Sequence, residues 1–218
     1  GRPAPVTIAG ELSLWDPLLL NWLIWMRQAA PQLALRAEAG LPDSLVSQVA
    51  EGSLDIAVVY APQQKPGLRI ELLIEEKLVL VTTSRRGRVQ LGADYVFVDW
   101  GPEFAAHHNL AFPELSNAGT FVGLGPLGLR YILEAGGSGY FRLHTVQPYL
   151  EQGRLRLVAG AAAIAYPAYV VYSESADLKM LTPALAGLRH VATTAGGAKA
   201  SGAVKTWRRA ARARRCRV

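Results

Sequence analysis

The sequence predicts an α/β fold of two units joined by two crossing strands, and three features carry that prediction. Strand-like and helix-like segments alternate over the first sixty residues as strand, helix, strand, helix, strand, the pattern of an α/β sheet domain. Leu54-Asp55-Ile56-Ala57-Val58-Val59-Tyr60 is a continuous apolar run behind one acid, as a parallel strand covered on both faces requires. Two long β-like stretches, 68–83 and 164–172, mirror each other, and the first is too long for one flat strand. It is expected to hold a strand, a turn and a second strand that leaves the first sheet.

Val6-Thr7-Ile8-Ala9-Gly10 reads as the first strand, followed by a loop and a helix over 13–29 that Pro31 closes. Leu33 to Glu38 alternates like a strand. Leu41, Leu45 and Val49 then recur every four residues with polar residues on the other faces, an amphipathic helix stopped by Gly52. A second series begins with a strand at Tyr95–Asp99 and a helix from Pro102 to Phe112, with proline in its first turn. Strands over 119–124, 138–142 and 155–159 alternate with helices over 126–135 and 145–152. A last helix is expected over 179–190. The units are expected to be 1–81 plus 168–195, and 82–167.

The chain has 218 residues, half of them hydrophobic and 18% charged, so it can bury a sizeable core and is not globally disordered. Its formal charge of +6 is misleading as a whole-molecule property. Residues 196–218 hold eight of the 23 basic residues and no acid, which leaves residues 1–195 at a net −2. That basic tail is expected to be disordered, with only non-specific affinity for polyanions. The single cysteine, Cys216, excludes an intrachain disulfide and a multi-cysteine metal site. Pro17–Met26, the most apolar run, is ten residues long, whereas a membrane span needs ~20. With no leader-like segment at its start, the chain is expected to be soluble and cytoplasmic, without membrane contact.

Three motifs suggest catalysis or cofactors, and none holds up. Gly123-Leu124-Gly125-Pro126-Leu127-Gly128 fits the dinucleotide fingerprint G-x-G-x-x-G between a strand and a helix. Yet Pro126 removes an amide that a phosphate would use, and the window for the ribose-binding acid holds Tyr140 to His144. His107-His108 are neighbours about 100° apart on a helix, not a same-face zinc pair. Gly136-Gly137-Ser138-Gly139 lacks the glycine two residues after serine that a nucleophile elbow needs. No enzyme, cofactor or metal site is expected.

Val49-Ala50-Glu51-Gly52-Ser53-Leu54-Asp55-Ile56-Ala57-Val58 resembles the helix-Gly-x-Leu-Asp-hydrophobic-Ala segment of LysR-type transcriptional regulators. The surrounding order is similar to that family's effector-binding region: a hydroxyl-bearing loop after the first strand, Leu78-Val79-Leu80-Val81, Ala135-Gly136-Gly137-Ser138-Gly139-Tyr140 and Leu150-Glu151-Gln152-Gly153-Arg154-Leu155. The resemblance covers residues 6–195. It implies a periplasmic-binding-protein-like fold of type 2, two Rossmann-like subdomains with a ligand cleft between them. It also implies a chain without the family's N-terminal winged helix-turn-helix, so that DNA is reached only through that missing domain. Asp99-Trp100-Gly101-Pro102-Glu103 stands where many members have a Gly-Ser-Gly-like turn, and the resemblance does not extend to the basic tail.

In such a fold small ligands sit at the carboxyl ends of the strands, beside helix N-termini. The implied first wall is Gly10, Glu11, Leu12, Ser13 and Leu14, with Ser13 as a hydroxyl donor or, instead, a helix cap; Tyr60 should face the same cleft. Trp100, Gly101, Pro102 and Glu103 should form the opposite entrance, and Tyr140 and Phe141 an aromatic wall with a phenolic hydrogen bond. Glu11 and Glu103 favour a ligand carrying an amine or hydroxyls. The effector would shift the angle between subdomains; a free-standing solute-binding protein is the alternative. The all-round apolar helix around Trp22 suggests a homodimer, with Leu19 or Trp22 facing outward. Its partner surface would be the 102–112 helix, with Phe104 and Leu110 as anchors and His107 or His108 near the rim.

Overall fold

A computed structural model describes residues 5–85, 94–115 and 119–197. The first sheet has five strands in the order β2-β1-β3-β11-β4, formed by β1 (Val6–Gly10), β2 (Leu35–Ala39), β3 (Ile56–Tyr60), β4 (Leu68–Ile74) and β11 (Ala168–Ser173). β1 runs parallel to β2 and β3, whereas β11 is antiparallel to β3 and β4. The apolar run is therefore buried at all five positions of β3, as a central strand covered on both faces must be.

Strand alternation sorts that sheet into two apolar layers. Ile8, Ile56, Val58 and Val170 face one core with Leu14, Trp22, Met26 and the helix that ends the described chain. Ala9, Ala57, Val59 and Val171 face the other, against Leu45, Val46 and Val49 of α3 (Pro42–Glu51). Gly52 ends α3 with φ 77°, a left-handed conformation that glycine adopts without steric cost. The LysR-like Leu-Asp pair has a direct structural use. The Asp55 carboxylate accepts the Thr7 amide at 2.7 Å and the Thr7 hydroxyl at 2.8 Å, locking the start of β3 to β1.

The expected single helix over 13–29 is broken. One turn, α1 (Leu12–Leu14), leads into a wide turn at Trp15–Leu19, and the regular helix α2 begins only at Leu20 and ends at Ala29. Asp16 is extended, with φ −115° and ψ 118°. Pro17 supplies the reason, because proline disfavours helical geometry in the residue before it and contributes no amide. Facing α2 is α7, which runs from Leu178 to Gly197, longer than expected. Leu181, Ala184, Leu185, Leu188, Val191 and Ala192 keep a helical period on its buried side. Trp22 lies between them, fully buried, with its indole N–H donating to the Ala184 carbonyl at 2.9 Å.

The second sheet contains β5 (Lys77–Thr82), β8 (Ser138–Arg142), β9 (Arg156–Leu157) and β10 (Ile164–Ala165). A parallel pair, β6 (Val96–Val98) and β7 (Thr120–Val122), joins β8 through a bridge between Tyr95 and Ser138. Around them lie α4 (Pro102–Ala111), α5 (Gly125–Ala135) and α6 (Leu143–Glu151). Because β5 pairs with β8, the chain leaves the first sheet at Glu75–Glu76 and residues 77–81 belong with the second sheet rather than the first. The chain crosses back at Tyr166–Pro167, between β10 and β11. The Tyr166 amide donates to the Glu76 carbonyl at 2.8 Å, so the two crossings are bonded to each other. Residues 198–218, with most of the basic tail and Cys216, lie outside the described residues.

Candidate functional site

Aromatic and polar side chains from both sheets meet at these crossings. Tyr60, the last residue of β3, stacks on Tyr166 with ring centres 4.0 Å apart. Tyr166 in turn meets the edge of Trp100 at 5.5 Å. Arg142, at the end of β8, is only 5% exposed and reaches into the first unit. One guanidinium nitrogen donates to the Tyr60 hydroxyl at 2.9 Å, the other to the Asp16 carbonyl at 3.2 Å. The broken turn before α2 is what presents that carbonyl. Two units whose rims are tied by one arginine and one aromatic stack form a junction with both apolar surface and hydrogen-bonding capacity, the usual make-up of a small-molecule site.

Electrostatics at the junction are unusual for its acid. Glu11 accepts the Tyr60 amide at 2.7 Å, bridging the ends of β1 and β3. Burial nonetheless pushes its carboxyl up to about 7, the amide opposing the shift. Burial likewise raises the Tyr60 phenol to about 12, against the pull of the nearby Arg142 charge, and raises Tyr166 further. Both phenols are neutral hydrogen-bonding groups at any physiological pH.

The expected site residues separate into those at the junction and those elsewhere. Glu11, Tyr60 and Trp100 lie at it. Gly10 is buried beneath it, where a Cβ would come 2.3 Å from Leu19, and Leu14 belongs to the core. Leu12 is exposed. Ser13 is half-buried and, among the described residues, neither donates nor caps, so the helix-cap reading is excluded. Gly101 turns the chain with φ 94°, and its amide is held by the Asp99 carboxylate at 2.9 Å; Pro102 and Glu103 stand exposed in the first turn of α4.

Tyr140 and Phe141 are adjacent on a strand and so point to opposite faces. The Tyr140 hydroxyl is already bonded to the Ala162 carbonyl at 3.1 Å, and its ring packs with Phe104, His108 and Phe112. Phe141 faces the other way, into a small recess lined also by Trp100, Gly125, Pro126, Leu129, Arg142 and Thr145. The nucleotide-like glycines serve this packing. A Cβ on Gly125 would come 2.2 Å from the Trp100 ring, and one on Gly128 would crowd Val98 at 2.8 Å. The Trp100 indole N–H, donating to the Tyr140 carbonyl at 2.8 Å, holds the ring in place.

Arg142, Tyr166, Thr145 and the Asp16 carbonyl were not anticipated from sequence. Arg142 carried one local signal: a charge on the strand 138–142, all five positions of which are buried. Tyr166 had none beyond its place inside the β-like stretch 164–172. Among the described residues no cluster of three His, Cys, Asp or Glu side chains is placed to hold a metal ion. No helix among them is long and apolar enough to cross a membrane.

Residues 3–193 match the family model described as the LysR substrate binding domain. The HTH-type transcriptional regulator HdfR of Salmonella schwarzengrund (strain CVM19633) is 27% identical over 176 residues, covering 78% of this chain and 61% of that protein. The chain thus spans about three-fifths of the curated relatives it matches. In fold it is similar to the regulatory domain of HypT from Salmonella typhimurium, with a TM-score of 0.72 at 18% identity, covering 89% of this chain and 100% of that one. It is also similar to a mutant of Corynebacterium glutamicum OxyR, with a TM-score of 0.66 at 16% identity, covering 90% of this chain and 67% of that one. The two-sheet architecture with paired crossings is the periplasmic-binding-protein-like fold of type 2, and the chain belongs to the LysR substrate-binding domain family.

Proposed function

We propose that this chain is the effector-sensing region of a cytoplasmic transcriptional regulator, which binds a small metabolite at the junction and performs no chemistry on it. The observation that carries the reading is the Tyr60–Tyr166–Trp100 stack with Arg142 beside it, built from both units at the two crossings. A ligand seated there changes the relative stability of different angles between units, which is how binding without catalysis shifts a population of states. DNA is reached through a separate N-terminal domain of the whole regulator, and the subdomains meet at 75–76 and 166–167.

The regulator acts as a homodimer in this reading, but on a different face from the one the sequence suggested. Trp22 and Leu19 are both fully buried, and Phe104 and His108 lie in the second core. Leu20 and Ile24, one helical turn apart on α2, are 46% and 51% exposed, and Leu110 on α4 is 85% exposed. Those residues are the outward anchors.

A metabolite-library thermal-shift screen tests the sensing reading. A ligand at 100 times its dissociation constant stabilises the folded chain by ~2.7 kcal/mol, and the shift is expected to vanish in Tyr166→Ala. A library without a single stabilising compound, or a shift that Tyr166→Ala leaves intact, would count against it.

A further inference from the structure

We infer that the Arg142 recess takes the carboxylate of an effector with a small apolar body, so that the ligand is an organic anion rather than an amine or polyol. This rests on the sensing reading above and names its ligand class. An arginine only 5% exposed normally sits against a carboxylate, because a buried charge without a counter-charge is costly. Among the described residues Arg142 has none within ion-pair distance; its bonds go to two neutral oxygens, the Tyr60 hydroxyl and the Asp16 carbonyl. Those bonds use two of five N–H donors. The remaining donors belong to a planar group whose geometry suits a carboxylate.

A second, independent group points the same way. Thr145 lines the same recess, and its hydroxyl oxygen is buried with no hydrogen-bond partner among the described residues. The other lining residues are Trp100, Gly125, Pro126, Leu129 and Phe141, which are apolar or aromatic. One cation and one hydroxyl in an otherwise apolar recess form a site for an anion carried on a hydrocarbon. The two acids that favoured a cationic ligand are not available for that purpose. Glu11 is committed to the Tyr60 amide, and Glu103 stands in solvent on α4. Arg142 is also the tie between the units, so an anion drawing on its donors competes with Tyr60 and Asp16. Ligand binding and the angle between units are thereby coupled through one side chain.

Thermal stabilisation of the 218-residue chain by matched probes tests this: benzoate and isovalerate, the corresponding alcohols, and the corresponding amines. The acids are expected to bind saturably and at least about tenfold more tightly than alcohol or amine of the same body. Thr145→Val should weaken the acids several-fold, and Arg142→Gln should abolish the preference for charge. Arg142→Lys retains the charge without the planar fork and is the substitute should Arg142→Gln not fold; it should lose most of the acid affinity. Alcohols or amines binding as well as the acids, with binding abolished by Tyr166→Ala, would overturn the anion assignment and leave the sensing reading standing. Acid affinity unchanged in both the Thr145 and Arg142 variants would overturn it as well. So would a failure of all six probes to bind, and a blank library screen beside that would remove the sensing reading too.

Discussion

The two units solve the same packing problem with different materials. In the first, β1, β3 and β11 form a sheet filled from both sides mainly by aliphatic side chains, with Trp22, Tyr60 and Tyr172 at one face. In the second, short strands enclose rings: Tyr95, Phe97, Phe104, His108, Phe112 and Tyr140 contact one another. Every buried polar or charged side chain among the described residues, Glu76, Thr82, His108, Ser138 and Arg142, lies between positions 76 and 142. One unit is thus a largely apolar platform, and the other holds the buried polar side chains, while Glu11 at the end of β1 adds a half-buried acid to the platform's rim. The difference also predicts how each should fail.

The platform should fail by cavity. Trp22→Ala removes a fully buried ring and its bond to Ala184, and is expected to cost ~3–5 kcal/mol, read as a fall in the urea midpoint. Asp55→Ala frees the Thr7 amide and hydroxyl at the β1–β3 lock, with an expected loss of ~2–3 kcal/mol in the same measurement. Should either cost less than the His108–Tyr95 replacement in the second unit, the platform reading would be wrong.

One ionisable side chain from each unit should instead respond to pH, and the two with opposite signs. Glu11 is raised from 4.5 to about 7 in the folded chain, so its contribution to stability is present below pH 4.5 and lost as pH rises through 7. Glu11→Gln is expected to match the wild type near pH 4 and to exceed it by ~1–2 kcal/mol at pH 8, allowing for partial solvent screening. His108 is shifted the other way, held below its ordinary 6.5 chiefly by burial. Its neutral form is the stable one, so stability is full above pH 6.5 and falls as the pH drops toward the lowered value. Replacing the bonded pair by His108→Leu with Tyr95→Phe should change stability at pH 8 by less than ~1 kcal/mol and remove the acid loss. The comparison is best made in Glu11→Gln, where the opposing slope is absent. Smallest in stability is Ile24→Glu, expected within ~0.5 kcal/mol of wild type because the residue is half exposed. Light scattering should nonetheless report a monomer, and a persistent dimer would move the interface off α2.

Most of the platform was legible from sequence, because its signals are local. The run from Ile56 to Tyr60 announces a central strand, the Leu41/Leu45/Val49 period a helix, and Gly52 its end. The broken turn at Asp16 was legible too, given due weight to Pro17, but the apolar run through Met26 outweighed it. The junction was another matter. Arg142 and Asp16 are 126 positions apart, and Tyr60 and Arg142 are 82 apart, so no window contains both partners. Tyr140 and Phe141 show a nearer oversight. Strand alternation alone forbids both from facing one site, and only their order on β8 decides that Phe141 takes the recess.

The position of β11 has a consequence for how the chain comes into being. That strand, residues 168–173, sits between β3 and β4 and bonds to both. The first unit is therefore the first to be synthesised and the last to be finished. At roughly 5–20 residues per second, β3 and β4 emerge with their facing edges unpaired and wait about 5–20 s for β11 to arrive. Over that interval β3, buried at every position in the finished fold, is an open edge on one side, the form in which strands pair with the wrong partner. The second unit's described strands all lie between 77 and 165, and β5 meets its first partner, β8, after a wait about half as long. The second sheet can thus be complete before the first is closed.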